Sequence, residues 1–263
     1  MTDLNRYITG GLLLCLLLVA ASCNDATPEE SPAADTASAA SDIASADQSY
    51  SQREDLLQIR RGIVSLRQAL TKDPGNYEAA WKLSKFNYYL ATHSTDSNER
   101  DTAFKDGIDA GKTAVQLQNE KADGHFWLGA NYGGAAEHST IQGLATVNDI
   151  RNEMQTVLRL DEGYQNGSAY MVLGLVDLNA PGIVGGDPKR AVEEMEKGLR
   201  YGEPNAFLHL HLAEAYKKVG RNDDARREIK KILTMTPDPN YQPEYKEASA
   251  AAQKLLDQID HGG

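Results

Sequence analysis

A chain of 263 residues with 41% hydrophobic side chains is long enough to bury one large core or two smaller ones. Its formal charge of −11 argues against nucleic acid as the main partner, because neutralising phosphates takes clustered Lys and Arg. The two cysteines, Cys15 and Cys23, both lie in or beside an apolar N-terminal segment, so beyond residue 23 no disulfide framework or thiolate metal site can form.

Residues 1–22 read as an export signal. The apolar run 11–21 (GLLLCLLLVAA) falls short of the ~20 residues that a transmembrane helix needs. It ends Ala20-Ala21-Ser22-Cys23, which resembles a bacterial lipobox. Small residues before the cysteine let the segment enter a peptidase cleft, whereas Leu14 before Cys15 blocks the rival site. Cys23 is therefore the expected lipidation site, and each methylene of its acyl chains buried in the membrane contributes ~0.8 kcal/mol. Asn24, in place of Asp, points to the outer membrane. A plain cleaved signal or an uncleaved anchor is the alternative, since Asp3 offsets Arg6 in the leader.

Residues 23–47 are rich in Ala, Ser and Asp and carry six acids, no base and almost no large apolar side chain. Such a stretch buries too little surface to offset its ordering entropy, so a disordered tether is expected.

Residues 48–263 form the expected folded domain, an all-α array of about four to five tetratricopeptide-like helical hairpins with a C-terminal capping helix. The clearest unit runs over residues 206–239. With Ala206 as position 1, Leu212, Ala213, Tyr216, Gly220, Ala225 and Pro237 fall at 7, 8, 11, 15, 20 and 32. That spacing is close to a helix–turn–helix repeat with small residues where helices cross. The same ruler places Leu83 and Ser84, Leu128 and Gly129, and Leu173 and Gly174 at positions 7 and 8 of earlier units. Two insertions interrupt it: about eleven extra residues near 93–101, and the segment 179–187 (NAPGIVGGD). The second helix of the third hairpin is expected over about 140–160, and the cap over about 244–259. Insertions on a rigid scaffold are where function concentrates, which makes Pro181, Gly185, Gly186 and Asp187 candidates for a partner-binding loop.

In such arrays the first helix of each hairpin lines the concave face. Its slots hold Trp81, Tyr88 and Tyr89, then Phe126, Trp127, Ala130, Gly133 and Gly134, then Met171, Val172, Leu175 and Leu178, then Phe207, Leu210 and His211. Two readings stay open. These residues are core, as aromatic stripes at helical spacing usually are, or they line an apolar pocket or channel. On the second reading Trp81, Tyr88, Phe126, Trp127, Asn131, Gly133, Met171, Leu175, Phe207 and His211 are the ligand-channel candidates, with His125, Asn131, His211 and Glu214 as polar groups.

Several landmarks together resemble a known family. They are residues 124–133 (GHFWLGANYG), Gly143 with 147–150, Leu173-Gly174, Gly185-Gly186-Asp187-Pro188, and Leu212-Ala213-Glu214. The likeness spans roughly residues 50–240 and is to the T component of TRAP (tripartite ATP-independent periplasmic) transporters. It implies a periplasmic lipoprotein that binds the transporter's solute-binding protein and assembles as a homotrimer, with a channel for hydrophobic substrates in each subunit. Asn119, Glu162 and Glu203 replace the proline of position 32.

Catalytic chemistry finds no support. His209 and His211 are two apart and point away from each other on a helix. The glycines of residues 128–137 follow a helix, with no strand before them and no Lys-Ser after, and so fail as a phosphate loop. The chain is expected to be no enzyme and to need no metal or other cofactor. Its function is then that of a transporter accessory, and the alternative is a scaffold lipoprotein for envelope or pilus assembly.

Overall fold

Side-chain caps set where the helices begin. Asp55, Asn76, Asp96, Asp187 and Asn205 each accept a hydrogen bond from a backbone N–H in the first turn of the helix that follows. The computed structural model describes residues 32–138 and 140–261. Among these are eleven α-helices and no strand. They are α1 (Pro32–Tyr50), α2 (Leu56–Lys72), α3 (Tyr77–His93), α4 (Ser97–Leu117), α5 (Ala122–Glu137), α6 (Thr140–Leu160), α7 (Tyr164–Asn179), α8 (Pro188–Gly202), α9 (Ala206–Lys218), α10 (Asn222–Thr234) and α11 (Gln242–His261). Consecutive helices pair into five hairpins from α1/α2 to α9/α10, and α11 covers the last. The tetratricopeptide-like architecture is as expected.

The tether is not. Residues 32–47 belong to α1, which packs on α2 and buries Ala39, Ile43 and Ala46. These three and Tyr50 recur at helical spacing, and the small side chains let α2 approach closely. The disordered stretch expected over 23–47 is thus corrected from residue 32 onward, and the folded unit starts there instead of at 48. The signal segment and Cys23 lie outside the described residues.

Small residues at position 8 place the hairpin crossings. A Cβ on Gly129 would come within 2.4 Å of Met154 Cε, and one on Gly174 within 2.6 Å of Met195 Cγ. Ser84 takes the same place in α3 and donates its hydroxyl to Gly107 O at 2.7 Å. The extra residues near 93–101 do not form a loop. They lengthen the second hairpin, leaving only 94–96 between α3 and α4.

The first helices of the hairpins touch one another in chain order, α1 to α3 and on to α11, whereas successive second helices make no comparable backbone approach among the described residues, α2 and α4 meeting through the Arg60–Glu99 and Arg67–Asp106 ion pairs. The odd-numbered helices therefore form the inner layer of a curved array, and the even ones splay outside. The curvature brings the two ends together. Arg53, in the α1–α2 turn, donates to both Glu244 carboxylate oxygens at 2.8 and 2.5 Å and to Asn240 O at 2.6 Å. Lys246 reaches Glu54 at 2.9 Å, and His93 Nε2 lies 2.9 Å from Glu247. Long polar side chains close the array, with Arg53 the buried member.

Candidate ligand face and partner loop

A row of rings crosses the inner layer. Tyr164 of α7 lies 5.1 Å from Phe126, centroid to centroid, Phe126 lies 5.1 Å from Trp127, and Trp127 lies 5.8 Å from Tyr88. Tyr88 continues the row to Phe104 of α4 at 6.5 Å. Trp81 packs on the same cluster. Phe126 and Trp127 are buried within it, while Trp81 and Tyr88 stay partly exposed. Burial, with a smaller push from Glu137, raises the Tyr88 phenol to about 12.

The remaining channel candidates divide. Met171, Leu175 and Phe207 pack, partly exposed, on the C-terminal cluster, and Phe207 stacks on His211 at 6.0 Å. His211 Nδ1 in turn lies 2.8 Å from Glu214. Gly133 has open space where a Cβ would stand. Asn131 faces inward to the hairpin packing. Its amide donates to Ser84 O and Oγ and to Trp127 O at 2.8–3.1 Å, tying α3 to α5. His125 likewise bridges α5 to Glu153 of α6 and serves the scaffold.

Sequence reasoning passed over one residue of this face. Lys85 occupies position 9 of its unit, a concave slot between Trp81 and Tyr88, and that spacing was the available signal. Its Nζ sits 3.9 Å from the Tyr50 ring centroid and 5.7 Å from that of Trp127. Desolvation, reinforced by Arg53 and Lys82 and opposed by Glu244 and Asp47, lowers its pKa to about 8.

The inserted loop is built on Asp177, whose side chain is 1% exposed. Arg151 of α6 donates to its Oδ1 at 2.5 Å, and Arg190 of α8 grips both oxygens at 2.5 and 2.7 Å. Both guanidinium groups also donate to Gly185 O. Asp187 N donates to Asp177 O, and Gly186 N to Pro181 O. Gly186 cannot carry a side chain, since a Cβ would stand 1.7 Å from Ala180 O. Gly185 takes the left-handed conformation, φ +86°. The loop is therefore fixed from within, and at its tip Ile183 is 92% exposed. A cavity of about 440 Å³ lies beside it, lined by Asn148, Arg151, Gln155, Val184 and Arg190 among others. Pro181 and Asp187 are exposed, Asp187 capping α8.

The TRAP transporter T-component model matches residues 76–260. The chain belongs to that family. Solved structures agree on the fold. A thermophilic TPR protein in Thermus thermophilus superposes with a TM-score of 0.62 at 18% identity, covering 82% of this chain and 99% of its own. The pilF protein of Pseudomonas aeruginosa gives 0.51 at 18% identity, over 85% and 95%. No curated protein matches. This T-component family member is thus a TRAP-associated protein with a tetratricopeptide-like fold. Among its described residues no group of His, Cys, Asp and Glu could hold a metal ion, and no helix is long and apolar enough to cross a membrane.

Proposed function

We propose that this T-component is a periplasmic lipoprotein, anchored through Cys23, that docks the transporter's solute-binding protein and passes a hydrophobic ligand along its inner face. The observation that carries the reading is the inner layer itself: aromatic and aliphatic side chains left partly exposed, with open space at Gly133, inside an array whose ends meet. Ligand sites are mostly apolar with few polar groups, and this face fits that chemistry. The loop supports docking, because a rigid backbone that presents one apolar side chain loses little conformational entropy when a partner covers it. Assembly as a homotrimer at the outer membrane completes the reading.

The test is co-elution of the chain with the solute-binding protein of its TRAP transporter. Ile183→Asp weakens that complex at least tenfold while leaving the fold intact. A complex unaffected by this change removes the loop from the interface, and absence of any complex overturns the docking role. Cys23→Ala moves the protein into the soluble fraction, and membrane retention of that variant refutes the anchor.

A further inference from the structure

We propose that Lys85 is the counter-ion for a monoanionic head group, so that the ligand of the inner face is an amphiphile with one acidic head and an apolar tail. The inference rests on the reading of that face as a ligand site and specifies what the site takes.

The charges around Lys85 carry the argument. Arg53 is neutralised by Glu244, and Lys82 by Asp47 and Glu78. Among the described residues Lys85 forms no ion pair, and its ammonium meets only the faces of Tyr50 and Trp127. A cation drawn out of water and left without a carboxylate is costly, and structures normally pair it. Cation–π contact returns less than a desolvated ion loses. The neighbouring Trp127 has a second unmet donor, since its Nε1–H is buried and finds no acceptor. An ammonium without a direct carboxylate partner beside an indole N–H without an acceptor calls for one anionic acceptor, and a carboxylate head supplies it with acceptors to spare. Trp81 and Tyr88, one turn to either side of Lys85 on α3, offer the apolar surface along which a tail would lie.

The charge should also be switchable. Groups facing Lys85 are Asp47 and Tyr50 of α1, Arg53 in the turn, Lys82 of its own helix and Glu244 of α11, with His93 two turns further along α3. Burial lowers both Arg53 and Lys82, but their hydrogen bonds to Glu244, Asp47 and Glu78 and the charges of those carboxylates together raise both and hold these cations protonated. Lys85, lowered to about 8, is the cation that discharges as pH rises from 7 to 9.5.

The experiment titrates the full chain, carrying Cys23→Ala to block acylation, with decanoate and with decanol. Calorimetry and tryptophan fluorescence report binding at Trp81 and Trp127. At pH 7 decanoate binds at least tenfold tighter than decanol, and this preference fades as pH passes 8. Lys85→Met abolishes the preference while decanol binding persists. Lys85→Arg retains the preference and loses the pH dependence. Equal affinities in the parent chain, or an undiminished preference in Lys85→Met, overturn the counter-ion role and leave an apolar ligand site standing. Failure of decanoate alone to bind overturns the counter-ion role, and failure of both compounds to bind overturns the ligand site as well. Circular dichroism of Lys85→Met guards against a folding defect, and in that event Lys85→Arg alone decides through its pH profile.

Discussion

His125 Nδ1 and Glu153 Oε2 stand 2.5 Å apart across the third hairpin, and two hairpins on His209 and Glu228 repeat the arrangement at 2.6 Å. In each case the other ring nitrogen meets the backbone carbonyl six residues earlier, Asn119 O at 3.0 Å and Glu203 O at 2.9 Å. One imidazole thus joins the first helix, the second helix and the preceding turn. These turns are two of the places where the repeat lacks its position-32 proline, and the histidine supplies the restraint the ring would have given.

The first prediction concerns pH. The Glu153 hydrogen bond raises the His125 pKa against an opposing burial effect. A histidine that binds its proton more tightly when folded adds stability that is complete below its unfolded value, about 6.5, and is lost as pH rises through the raised value. His93 adds in the same direction: burial lowers its pKa, but the bonds to Glu247 and to Tyr89 O and the charges of Glu247 and Glu244 together raise it. Thermal unfolding should therefore show stability falling between pH 6 and 8. His125→Ala costs about 2 kcal/mol at pH 6 and flattens part of that slope. An unchanged slope in the variant would refute the assignment.

The second concerns closure. Arg53→Ala removes the buried cation that joins Asn240 and Glu244 to the first hairpin. The expected loss is about 1–3 kcal/mol, with faster amide exchange in α11 and a larger radius of gyration by X-ray scattering. Unchanged exchange in α11 would mean that the array holds its curvature without this side chain.

Two glycines on neighbouring helices give opposite expectations. A Cβ on Gly107 would stand 2.1 Å from Asn131 Oδ1, and that amide is committed to Ser84 and Trp127. Gly107→Ala should cost about 1–3 kcal/mol by overpacking. Gly133 meets nothing, so Gly133→Ala should stabilise by up to about 1 kcal/mol through helix propensity. Denaturant melts of both decide the matter, and a destabilised Gly133→Ala would show that the space there is not open.

The loop offers a fourth. Asp177→Ala leaves Arg151 and Arg190 facing each other around Gly185. A loss of about 3 kcal/mol and protease cutting within residues 180–187 are expected. Ile183→Asp should shift stability by less than about 0.5 kcal/mol, because the side chain touches solvent. Equal effects of the two on stability would contradict a loop held from within.

Helical spacing made most of the fold readable. The second helix of the third hairpin falls at Thr140–Leu160, where the repeat put it. The first helix escaped because composition and periodicity disagreed. Ala, Ser and Asp suggested disorder, while Ala39, Ile43, Ala46 and Tyr50 already marked a buried stripe. The eleven extra residues near 93–101 interrupt the repeat in the sequence, yet eleven residues are about three helical turns, so they extend a hairpin without rotating its faces. At the site, apolar slots were legible one by one. The isolation of Lys85 was not, because it depends on which carboxylates other cations take, and those pairings join α3 to α1 and the α1–α2 turn to the far end of the chain.

That meeting of the ends also limits how the protein can change. An open solenoid gains or loses a repeat with little consequence beyond the neighbouring units. Here an added or deleted hairpin would carry Glu244 and Glu247 away from Arg53 and His93. The closing contacts thus tie the number of repeats to the curvature of the array.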